Sequence, residues 1–144
     1  MGCAQSSPCV PMFRSKLSAQ EQRNTDTTRK ETNETNNKTV PCIVVYVTVT
    51  NKEAGKKLAE SILKARLAAF VNAVPEVKCY LENRGEIQTY YEELLIIKTK
   101  ESLLEALTEH VKANLGYTLP EVVALPITGG YTPHVDLIKV RTRD

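Results

Sequence analysis

The chain has 144 residues, with 19 Lys and Arg against 17 Asp and Glu, a net charge of +2. So even a balance argues against a dedicated nucleic-acid binder, and an apolar fraction of 42% argues against a chain disordered throughout. No run approaches the ~20 apolar residues of a membrane-crossing helix, and four Cys without a C-x-x-C pair give no zinc-ribbon or thioredoxin-type signal.

The start, Met1-Gly2-Cys3-Ala4-Gln5-Ser6, fits the pattern M-G-x-x-x-[ST] for N-myristoylation at Gly2. Cys3 stands where a second, palmitoyl chain is added, and two acyl chains make stable the anchoring that myristate alone gives only marginally. Arg14 and Lys16 add an attraction to anionic lipid of about 1 kcal/mol each near the surface. In a eukaryotic host these residues predict a cytoplasmic protein, peripheral on a membrane when acylated at Gly2 and Cys3 and otherwise cytosolic. No h-region of a secretory signal is present, so the sequons at Asn33 and Asn37 read as accidents of composition.

Composition changes near Val40. Six basic and four acidic residues precede it, so the first 40 residues carry the whole +2. From Asn24 to Thr39, ten of sixteen residues are Thr or Asn, and no apolar residue lies between Ala19 and Val40. Such a stretch cannot bury enough surface to offset its ordering entropy. Residues 1–40 are therefore expected to be a disordered tail, and 41–144, with 13 residues of each charge, a neutral folded domain.

Cys42 to Val49 is a β-branched run that predicts a strand buried on both faces. Asn51 offers a helix N-cap, and Ala54, Leu58, Ile62 and Ala65 recur at helical spacing, which predicts a helix over 52–66. Residues 69–82 predict a second strand, bent at Pro75. After the turn signal Asn83-Arg84-Gly85, residues 87–99 complete a long hairpin. Leu103, Leu104, Leu107, Val111 and Leu115 form one stripe of a helix over 101–115, stopped by Gly116. A strand over 121–127 and a short helix over 135–140 close the chain. The order β-α-β-β-α-β predicts an α+β, ferredoxin-like sandwich: an antiparallel sheet with both long helices on one face.

There is no P-loop, G-x-G-x-x-G, H-E-x-x-H or G-x-S-x-G. With only His110 and His134, far apart in sequence, no His-rich metal site can form. Cys42 and Cys79 read as buried thiols acting as small hydrophobes. No nucleophile–base pair can be assembled, so no catalytic residue is expected.

The body as a whole resembles the CutA (divalent-cation tolerance) family. The resemblance is carried by the run from Val45 to Glu53, by Ala59-Glu60-Ser61-Ile62-Leu63-Lys64, by Arg66-Leu67-Ala68-Ala69 and by Val71-Asn72. It continues through Pro75, Gly85, Ile87, the stretch Glu92 to Thr99, Tyr117 with Pro120-Glu121-Val122, Ala124 to Ile127, and Gly129-Gly130. It implies a ferredoxin-like protomer in a tight homotrimer with strands paired between subunits, and a non-enzymatic role connected with divalent metal ions. Asn72, Lys98, Tyr117 and Glu121 match family positions and imply a polar pocket between subunits. A second possibility is that Lys98 and Glu121 simply form an interface ion pair. In copper-binding bacterial relatives, a strand-one Cys and two adjacent His look like the ligands. The matching positions here are Val47, Asn114 and Leu115, so no tight copper site of that kind is expected.

The function expected from all of this is a CutA-like homotrimer serving as a membrane-tethered binding or scaffolding module. One alternative is a soluble copper- or divalent-metal-homeostasis protein, with a weakly bound divalent cation at Glu121. Another is a small-molecule sensor using the cleft between subunits.

Overall fold

A computed structural model of the chain describes residues 40–116 and 119–144. The expected tail, with Gly2 and Cys3, and the site residue Tyr117 lie outside the described residues.

Strand β1 (Cys42–Val49) has the residues the sequence pattern assigns to it. Helix α1 (Lys52–Lys64) starts on Asn51, whose side-chain oxygen accepts from the Ala54 N–H at 2.8 Å. It stops two residues before the expected Arg66, because Arg66 turns to a left-handed φ of 55°. There the Arg66 guanidinium donates to the carbonyls of Val140 and Arg141, tying the helix exit to the C-terminal segment.

Strands β2 (Phe70–Asn83) and β3 (Glu86–Lys100) form the long hairpin. Its turn residues Arg84 and Gly85 both take positive φ, 55° and 85°, the geometry that suits the right-handed twist of a two-residue hairpin. The pairing skips between Val74 and Val77. Pro75 has no N–H for the ladder and Glu76 sits at φ 55°, so the expected bend is a β-bulge.

Helix α2 (Leu104–Leu115) is preceded by a 3₁₀ turn at Glu101–Leu103 and ends at Gly116, whose φ of 65° is left-handed. Strand β4 (Val122–Pro126) follows, then helix α3 (Thr132–Arg141), which is longer than expected at its N-terminus because Pro133 suits the first helical turn.

The sheet order is β2-β3-β1-β4, with every neighbouring pair antiparallel. Alternation along β1 and β3 divides the side chains between two faces. Val45, Val47, Leu95 and Ile97 turn to one face and pack with Leu58, Ile62, Leu107 and Val111 of α1 and α2. This is the main core. Val44, Tyr46, Leu94, Ile96 and Lys98 fall on the second face, half-buried rather than buried. Among the described residues only α3 packs there, at one end of the sheet, where Ile138 joins Cys42, Ala69 and Phe70. The arrangement is the ferredoxin-like α+β sandwich that the element order predicts.

Among the described residues, no helix is long and apolar enough to cross a membrane.

Candidate functional site

Three of the four expected pocket residues are described. Asn72 of β2 and Lys98 of β3 lie together on the second sheet face, with Lys98 Nζ donating to Asn72 Oδ1 at 3.4 Å. The same ammonium stands 5.9 Å from the centroid of the Phe70 ring. The far side of this cluster is built by α3. The imidazole of His134 stacks on Phe70 with ring centroids 5.0 Å apart, and the Arg141 guanidinium lies 5.3 Å from the same ring. Neither Lys98 nor Arg141 has a carboxylate partner within 4 Å among the described residues.

Glu121 lies elsewhere. Its carboxylate accepts from the Thr48 hydroxyl at 3.0 Å, just ahead of β4. Thr48 is opposite Leu94 in the ladder, whereas Lys98 is opposite Val44. Four residues of strand put the two positions about 13 Å apart along β1. One protomer therefore joins Asn72 to Lys98 and leaves Glu121 at the other end of the sheet.

The copper-ligand positions are equally plain. Val47 is fully buried in the main core. The Asn114 side chain donates to the His110 carbonyl at 2.7 Å, and Leu115 packs against the core. None of the three side chains carries a thiolate or an imidazole. The described residues contain no group of three or more His, Cys, Asp and Glu side chains placed to hold a metal ion. Burial pushes the Cys42 thiol above its ordinary range, which disfavours the thiolate a metal requires. Cys79 is only half-buried and faces Tyr90 directly across the hairpin. His110 is held between helices by a 2.6 Å hydrogen bond to the Ser61 hydroxyl.

The CutA1 divalent ion tolerance family model matches residues 43–140. The chain belongs to the CutA1 family. Among its relatives, the chloroplastic CutA protein of Arabidopsis thaliana is 54% identical over 143 residues, which is 99% of this chain and 76% of that protein. The divalent-cation tolerance protein CutA of Thermus thermophilus is 38% identical over 69% of this chain and 96% of its own length. The crystal structure of CutA1 from Oryza sativa superposes with a TM-score of 0.70 at 60% identity, covering 73% of this chain and 96% of that one.

The α3 residues around Phe70 and Lys98, namely His134, Arg141 and the apolar Ile138, are not legible in the sequence as site residues. The weak signal available was Pro133-His134 at the start of a helix with basic residues in its last turn.

Proposed function

We propose that this chain is a non-enzymatic, self-associating CutA1-family protein that acts in the divalent-metal response as a binding or scaffolding module. Its working unit is three copies, each a folded domain over 41–144 preceded by the tail. The observation that carries this reading is the uncovered apolar surface of the hairpin and the second sheet face. Beyond the bulge the hairpin runs past the helices, with Tyr80, Ile87 and Tyr91 exposed at 64%, 68% and 62%. A two-stranded ribbon alone is marginal in water, and long bare edges invite pairing. Val123 and Leu125 of the edge strand β4 are exposed as well. A second and third copy of the chain supply matching apolar edges and faces; the solved CutA1 structures from Oryza sativa and Thermus thermophilus share the protomer fold.

In such an assembly the Asn72–Lys98 pair of one copy faces a neighbour, and Glu121 and Tyr117 of that neighbour complete a polar pocket. Weak divalent-ion binding at Glu121 is the metal-homeostasis form of the same reading. Amide hydrogen exchange tests the assembly locally. Residues 77–92 are expected to exchange at least tenfold more slowly in concentrated than in highly diluted protein. Fast exchange of that segment at every concentration would leave the hairpin uncovered and sink the reading.

Location rests on two different observations. The pattern at Gly2 and Cys3 favours an acylated, membrane-tethered tail. The Arabidopsis and rice relatives carry the word chloroplastic in their names, which favours a plastid. Metabolic labelling with an alkyne myristate separates them: label on the native chain that disappears in Gly2→Ala supports the tether, and an unlabelled native chain removes it.

A further inference from the structure

Helix α3 stands apart from the rest of the protomer in what it packs against. It contributes no buried residue to the main core. Ile138, with Val135 beside it, closes instead on a separate cluster with Cys42, Ala69 and Phe70. This end of the second sheet face is thus roofed by the chain's own α3. The helix hangs from β4 through a short connection. The Ile127 N–H donates to the Cys42 carbonyl at 2.9 Å, and Gly129 and Gly130 follow, with nothing within 4 Å of where a Gly129 side chain would begin. No side chain caps the N-terminus of α3.

The far end of α3 is held by polar ties. The Arg66 guanidinium donates to the carbonyls of Val140 and Arg141, and the Arg66 carbonyl accepts from the Arg143 N–H at 2.9 Å. Lys100, opposite Cys42 in the ladder, has a side chain only 8% exposed. Among the described residues its one carboxylate partner is Asp144, at 3.5 Å, and the Asp144 side chain is fully exposed. An ion pair between two exposed groups contributes little. Here one partner is buried. Losing Asp144 leaves an ammonium largely without water or counter-charge, which costs more than the pair itself contributes. Moving α3 and residues 142–144 away returns Lys100 to water. The Asp144 carboxylate therefore weights the closed position.

We propose that α3 with residues 142–144 is a latch, hinged at Gly129-Gly130 and closed by the Lys100–Asp144 pair. It opens as one unit while the main core stays folded, and opening uncovers Cys42, Ala69 and Phe70 at the end of the second sheet face. A segment with its own small cluster and few ties opens at a free energy below that of global unfolding. Every residue of the latch belongs to one protomer, so its opening is a separate matter from the assembly.

Amide hydrogen exchange on the full chain tests the latch, with alkylation of Cys42 by iodoacetamide, mapped by peptide, as a second readout. In the native chain the amides of residues 135–141 are expected to be at least about tenfold less protected than those of Val45 and Val47. Asp144→Asn is expected to speed exchange at 135–141 and alkylation of Cys42 by a further factor of about ten, and to leave Val45 and Val47 unchanged. Lys100→Met removes the charge that needs a partner. In the Lys100→Met, Asp144→Asn chain both rates are therefore expected to return near their native values. Equal protection of α3 and β1 in the native chain, unchanged α3 exchange in Asp144→Asn, equal acceleration of β1, or no recovery in the double variant would each overturn the proposal. The native comparison needs no variant to fold, and Asp144 is exposed, so replacing it disturbs no core packing.

Discussion

Replacing Ile87 by Lys and Tyr91 by Glu in one chain is expected to dissociate the protein into single copies while leaving each copy folded. The choice of charges follows the ladder. Ile87 lies opposite Glu82 and Tyr91 opposite Lys78. Each substitution therefore creates an opposite-charge cross-strand pair, worth a few tenths to about 1 kcal/mol to the hairpin itself. What is removed is apolar surface on one face of the hairpin, together with the packing of Lys78 Nζ near the Tyr91 ring. Burying each large apolar side chain contributes about 1.5–3 kcal/mol. Losing two from an interface weakens association by roughly 10²–10⁴-fold, and burying the new charges against an apolar partner costs more. Sedimentation at micromolar concentration reads the outcome. A double variant that sediments like the native assembly would show that this face of the hairpin is not the contact.

The second large effect concerns the single protomer. Leu107→Ala is expected to destabilise the fold by about 2–5 kcal/mol. Leu107 is fully buried, in the same cluster as Leu58, Ile62, Val45 and Ile97, so truncation leaves a cavity walled by both helices and the sheet. Val140→Ala, on the exposed side of α3, is expected to change stability by less than about 0.5 kcal/mol. Urea unfolding at fixed protein concentration compares the two. A shift for Leu107→Ala no larger than that for Val140→Ala would contradict the placement of the core.

The parts of the fold that were legible in the sequence are those set by local chemistry. The β-branched run of β1, the Asn51 cap, the Leu stripe of α2 with its glycine stop, and Pro75 as a ladder breaker each act within a few residues. Boundaries moved where a backbone conformation intervened: Arg66 leaves the helix at positive φ, and the first turn of α2 tightens to 3₁₀. Helix α3 extends beyond the expected 135–140 because its apolar residues do not make one stripe that marks its ends. Val135 and Ile138 pack inward while Val140 points to solvent.

The candidate site was less legible. Asn72 and Lys98 match family positions and do meet, across neighbouring strands. The stack of His134 on Phe70 joins residues 64 apart in sequence, and no local pattern announces it. The resemblance groups Glu121 with Lys98, yet one protomer holds it on Thr48 at the other end of the ladder. Only an adjoining copy can bring a second Glu121 near Lys98, which makes the pocket and the assembly one question.

That question has a direct answer in the molar mass of the native protein, measured by sedimentation equilibrium over a range of concentrations. Three copies of the 16.1 kDa chain, stable through low-micromolar concentration, are expected. A mass of one chain, 16.1 kDa, throughout that range would contradict it.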